Sequence, residues 1–96
     1  MYEEALCREL GLRGIPYSRQ HLIAVNYKGL RVGEGRLDVF VDDRLIVELK
    51  TVEALLPIHR AQVLSYLKAT GCALALLINF NVPALRQGGL KRVILT

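Results

Sequence analysis

The hydrophobic pattern changes period along the chain. In "YEEALCRELGLR" (2–13), Tyr2, Ala5, Leu6 and Leu10 recur at helical spacing, acids fill the first turn and Gly14 follows. This predicts an amphipathic helix. "IPYSRQHLIAVNYKG" (15–29) reads as a strand with imperfect alternation, entered through Pro16 and left at Gly29. Gly33 and Gly35 read as turn or bulge signals. Strands are expected over 36–41 and 45–50, and a helix over 57–70 with Pro57 at its first position and Gly71 at its stop. "CALALLINF" (72–80) is apolar on both faces, as in a central strand covered from two sides. "LKRVIL" (90–95) closes the pattern as a short strand.

The expected fold is α/β: a mixed sheet flanked by helices, in the order α-β-β-β-α-β-β, as one domain over residues 1–96. The passage from strand 45–50 through helix 57–70 to strand 73–80 is a βαβ unit, with parallel strands and a right-handed crossover.

One strand breaks the apolar pattern. "RLIVELK" runs from Leu45-Ile46-Val47 into Glu48 and Lys50. An ion in a dry sheet costs several kcal/mol unless it is paired or bound. A two-residue turn at Asp42-Asp43 would set Asp38 opposite Val47, with Glu48 on the other side. A three-residue connection (Asp42, Asp43, Arg44) sets Val41 opposite Leu45 and Asp38 opposite Glu48, and such loops are common. In that register Asp38, Glu48 and Lys50 share one face, while Leu37, Val39, Val47 and Leu49 share the other. An isolated E-x-K is most often an ion pair on a solvated face. Asp38 at the partner position and apolar neighbours all round shift the balance toward a cation site. Oxygen ligands of this kind suit Mg²⁺ or Mn²⁺. Asp38 and Glu48 would bind it, the Leu49 carbonyl would add a third oxygen, and Lys50 would orient a water or stabilise developing charge.

The helix over 57–70 carries Gln62 and Tyr66 at i and i+4, on one face that His59 also joins. The net charge of +4 leans toward an anionic partner. After Lys50 the bases Arg60, Lys68, Arg86, Lys91 and Arg92 meet a single acid, Glu53. These, with His59, are the candidate nucleic-acid contacts. Gly33-Glu34-Gly35 lacks the Lys-Ser/Thr of a phosphate loop. His21 reads as a surface residue, and Asn79 and Asn81 as turn formers. Cys7 and Cys72 have neither metal nor disulfide spacing and read as core filler. No run is long enough to span a membrane and no secretory leader opens the chain, so a cytoplasmic setting is expected.

Asp38 and Glu48-Leu49-Lys50 on consecutive strands, followed by Gln62-Val63-Leu64-Ser65-Tyr66, resemble the PD-(D/E)xK nuclease superfamily and its RecB-like branch, whose helix carries Q-x-x-x-Y. "YEEAL", "YKG", "GEGRLDVFVDDRLIVELK", "AQVLSYL" and "LLINFNVP" together look like the GxxExxY protein family within it. The resemblance implies a restriction-endonuclease-like core and a metal-dependent nuclease. Its catalytic residues would be Asp38, Glu48, Lys50, Gln62 and Tyr66, its cofactor Mg²⁺ or Mn²⁺, and its partner nucleic acid, DNA ahead of RNA. Tyr2 aligns with the last letter of the GxxExxY signature, so the signature Gly and Glu would fall before residue 1. The chain is therefore expected to be N-terminally truncated relative to that family. The missing segment would shorten the first helix by about two turns and expose apolar surface that a homodimer could cover. Loss of a helix-borne Glu implies, as the alternative, a catalytically impaired nucleic-acid-binding or interaction module.

Overall fold

Each helix finds its partner surface through the apolar stripe on its inner side. The computed structural model describes residues 2–81 and 89–95. Helix α1 (Tyr2–Leu12) sets Leu6, Cys7 and Leu10 against the sheet. Helix α2 (Pro57–Thr70) sets Val63 and Leu67 against it and ends at Gly71, whose N–H donates to the Leu67 carbonyl at 2.9 Å. Between them lie β1 (Tyr17–Tyr27), β2 (Leu30–Val41), β3 (Leu45–Lys50), β4 (Leu74–Asn79) and β5 (Leu90–Ile94), side by side in that order in one sheet. β3 and β4 are parallel and the other neighbours antiparallel, so the mixed sheet and the βαβ unit stand as the sequence implies.

Strand parity explains the two cores. Phe40, Ile46, Ala75, Leu77 and Val93 pack under α2, while Val39, Val47, Leu76 and Ile78 pack with Cys7 under α1. Cys7 is buried filler, and both cysteines are free thiols. α1 covers its side incompletely: Leu74, Leu90 and Ile94, paired across β4 and β5 in rows Leu74↔Ile94 and Ile78↔Leu90, are exposed large apolar residues. Among the described residues no helix is long and apolar enough to cross a membrane.

The structure departs from the sequence pattern in three places. β2 begins at Leu30, six residues before the expected start at 36. Lys28 and Gly29 form the two-residue hairpin loop between the paired Tyr27 and Leu30, both with positive φ (51° and 78°), which matches the twist of the flanking strands. Gly33 and Gly35 therefore lie inside a ladder, opposite Val25 and Ile23, and make no turn. The bulge half of that reading holds beside Gly33: Val25 pairs with Gly33 and Asn26 with Arg31, so Val32 is the extra residue on β2. Leu37, expected beside Val39, packs with Phe40 and Ile46 under α2. The change of face occurs where pairing skips from Arg19↔Val39 to His21↔Leu37 and Gln20 adopts a φ of 50°. His21 is half-buried, with its ring 5.1 Å from that of Phe40 and Nδ1 3.1 Å from the Ser18 hydroxyl.

Gly35 has a packing reason. A Cβ there would lie 2.7 Å from Tyr66 Cε1 and 3.1 Å from Ile23 Cγ1, so the missing side chain is what lets the α2 tyrosine settle on β2. Gly35→Ala is expected to destabilise the fold by about 1–3 kcal/mol, the usual cost of overpacking. Urea denaturation checks this, and an unchanged midpoint would show that the ring has room to move.

Candidate active site

The Asp42-Asp43-Arg44 loop is three residues long and sets Val41 opposite Leu45, so the next pair inward of Val39↔Val47 is Asp38 with Glu48. Backbone pairing of β2 with β3 stops at Val39↔Val47. Beyond it the carboxylates take over: the Asp38 N–H donates to Glu48 Oε1 at 3.1 Å, and the Leu49 N–H donates to Asp38 Oδ2 at 2.8 Å. Each acid satisfies an amide that the diverging strands would otherwise leave open. The remaining oxygens, Asp38 Oδ1 and Glu48 Oε2, are not used in those bonds.

Glu48 is only 3 % exposed. Burial pushes its carboxyl up to about 7, and the Asp38 charge adds to the rise, while the Asp38 amide and Lys50 pull the other way. Lys50, at the end of β3, donates from Nζ to Gln62 Oε1 at 3.3 Å. The Tyr66 hydroxyl is raised by burial first and then by the Glu48 charge, against hydrogen bonding to the Gln62 side chain and the Arg36 backbone. Asp38, Glu48, Lys50, Gln62 and Tyr66 thus form one connected group, with Leu49 contributing its amide.

A second buried polar residue supports Lys50 from below. Asn79 is 0 % exposed, and its Oδ1 accepts from the amides of Val52 at 3.0 Å and Asn81 at 3.2 Å. Its Nδ2 donates to the Val52 carbonyl at 2.7 Å. The Phe80 N–H donates to the Lys50 carbonyl at 2.8 Å. Asn79 therefore forms the turn expected of it, through the bond from the Asn81 amide, and as the last residue of β4 it also clamps the segment after Lys50. The signal was its parity: in "LALLIN" it shares the inward face of Ala75 and Leu77. Asn79→Ala is expected to cost about 2–3 kcal/mol by stranding the Val52 amide and carbonyl. Thermal melting tests it, and a wild-type melting temperature would deny the clamp.

The basic candidates separate. Arg60, Lys91 and Arg92 line one groove beside Leu77 and Val93. Glu48, Leu77 and Lys91 are direct partners in one row of the sheet, so Lys91 stands two strands from Glu48, about 10 Å at ordinary strand spacing. Lys68 lies in another hollow, with Val25, Val32 and Ser65. His59 Nδ1 accepts from the Leu56 amide at 2.9 Å and so caps α2. Arg86 lies outside the described residues. Glu34 pairs with Arg31 on the exposed hairpin, away from the acids.

The donor set fits a hard divalent cation. Two carboxylates held together at a strand fork, one with its proton affinity raised, are short of positive charge, and both offer oxygen. Among the described residues no group of three His, Cys, Asp or Glu side chains is placed to hold a metal. A bound cation would therefore keep several waters, as Mg²⁺ commonly does.

A mixed sheet between helices, with two acids and a lysine where consecutive strands part, defines the restriction-endonuclease-like class. The chain belongs to the PD-(D/E)XK nuclease superfamily, whose family model matches residues 1–93. No curated protein and no solved structure matches it at a significant level.

Proposed function

We propose that the chain is a metal-dependent nuclease domain that hydrolyses phosphodiester bonds of nucleic acid, DNA ahead of RNA. Within the superfamily, its motifs resemble the GxxExxY family most. The observation that carries the reading is the exchange of bonds across the fork, Asp38 amide to Glu48 and Leu49 amide to Asp38, which fixes both carboxylates beside Lys50. Asp38, Glu48 and the Leu49 carbonyl would hold Mg²⁺ or Mn²⁺. The ion would supply Lewis acidity toward a phosphate oxygen and a more acidic water. Lys50 orients the attacking water and meets charge that develops on the phosphate. Gln62 holds the Lys50 ammonium and, with Tyr66, fixes the helix side of the site. Arg60, Lys91 and Arg92 bind the nucleic-acid backbone along their groove, and His59 and Lys68 are outlying contacts of the same proposal, to which Arg86 also belongs. A homodimer that covers Leu74, Leu90 and Ile94 belongs to it too, with concentration-dependent melting as its check.

Calorimetry with Mg²⁺ and Mn²⁺, on the chain and on Asp38→Ala, is the direct test. Binding that disappears in the variant, with cleavage of DNA or RNA by the intact chain, supports the reading. Absence of binding in the intact chain would overturn it.

The two-carboxylate set and the basic groove favour one second reading, a nucleic-acid-binding module without turnover. It requires affinity that falls steeply with salt and no product after prolonged incubation with metal.

A further inference from the structure

Tyr2, at the start of α1, and Phe80, at the exit of β4, stack with ring centroids 4.4 Å apart and planes 3° from parallel. Both line a cleft of about 250 Å³ that also holds Asp38, Leu49 and Lys50. The stack therefore stands in the same opening as the carboxylate and lysine of the candidate site. Phe80 is locked to that site through the backbone, since its N–H donates to the Lys50 carbonyl at 2.8 Å. Tyr2 lies over Phe80 and is still 41 % exposed. One ring face is used against Phe80, and the opposite face takes no part in that stack.

A flat ring held open beside a phosphodiester site matches one feature of nucleic acid, the face of a base. We infer that the outer face of Tyr2 is a stacking platform for the nucleobase beside the attacked phosphate. The substrate is then nucleic acid with an unpaired base at that position, a single strand or a frayed end. A base inside a duplex has both faces covered by its neighbours, and only an unstacked base reaches a protein ring. Stacking reads a π-face that every base has, so the platform tolerates any sequence. Besides Asp38, the proposed metal ligand, the wall carries one carboxylate that opposes a phosphate, Glu3. Its charge is met from outside the cleft: Oε2 accepts from Arg19 at 2.6 and 3.0 Å, and Oε1 accepts from Gln20 at 2.6 Å. Lys50 is the cation of the same wall.

This inference rests on the nuclease reading of the cleft, and its test separates the two. Fluorescence anisotropy in EDTA compares a labelled single-stranded oligonucleotide with the same strand carrying abasic sites, on the full chain and on Tyr2→Leu and Tyr2→Phe. The expected result is that Tyr2→Leu weakens the base-bearing strand roughly 5- to 150-fold, as loss of one stacked base does. Affinity for the abasic strand stays unchanged, and Tyr2→Phe binds like the wild type. Equal binding by Tyr2→Leu and wild type, or an equal loss on both strands, overturns the platform. Neither metal nor turnover enters this measurement. Base-dependent binding by a chain that cleaves nothing in Mg²⁺ or Mn²⁺ keeps the platform and ends the nuclease reading. Cleavage with no dependence on Tyr2 in binding does the reverse.

Discussion

Lys50→Ala is expected to lower the rate of the proposed phosphodiester cleavage by about 10²–10³-fold, the loss seen when a donor aimed at developing charge is removed, and to leave the fold intact. Both halves follow from where the lysine sits. Its Nζ meets Gln62 Oε1 at 3.3 Å on the exposed side of the site. Its backbone, which does hold the structure together, accepts from Phe80 and is untouched by the substitution. Stability should therefore move by no more than about 0.5 kcal/mol, as for other surface changes. Arg60 and Lys91 line the groove toward β5 and so are not placed at the fork to replace the ammonium. Lys50→Arg should not rescue the rate, since a planar guanidinium presents its charge in a different shape. A labelled oligonucleotide assayed in Mg²⁺ and in Mn²⁺ gives the rate, and calorimetry on the same variants shows whether metal binding persists. Wild-type turnover by Lys50→Ala would remove the proposed mechanism.

The carboxylate site was legible because it depends on local rules. Loop length and strand parity were enough to put Asp38 opposite Glu48, and the structure sets Val41 opposite Leu45 as that argument requires. Pro57 and Gly71 bounded α2, and the i, i+4 spacing brought Gln62 and Tyr66 to the same side as Lys50. What the sequence concealed depends on contacts between distant segments. Gly33 and Gly35 look like breakers in isolation, and only the approach of Tyr66 from thirty-odd residues away explains why Gly35 belongs in a strand. Leu37 obeyed no parity rule because Gln20, on the neighbouring strand, twists the ladder. The stack of Tyr2 on Phe80 joins the start of α1 to the exit of β4, and no periodicity records it. Asn79 is the intermediate case: its inward parity was available, and its partners in the 51–52 turn were not.

Glu48 is expected to make stability depend on pH and, if it holds the proposed metal, to make metal affinity depend on pH with the opposite sign. Its carboxyl is raised from 4.5 to about 7, first by burial and then by Asp38, so the folded chain keeps a proton there that the unfolded chain has lost. A folded state that binds more protons loses stability as pH rises. The contribution is complete below about 4.5, falls through the interval up to about 7 and is gone above it. A shift of this size corresponds to on the order of 3 kcal/mol, or on the order of 10–20 °C in melting temperature for a domain of this length. Glu48→Gln, which stays neutral, should flatten that part of the profile. A metal held by Glu48 would have to displace the same proton, so its apparent affinity would fall about tenfold for each pH unit below 7. Mg²⁺ binding should be roughly 100-fold weaker at pH 5 than at pH 8, with close to one proton released per ion at pH 6 and few at pH 8. Calorimetry in two buffers of different ionisation enthalpy measures that release. Metal binding with the same affinity at pH 5 and pH 8, and no proton release, would mean that the ion does not sit against Glu48.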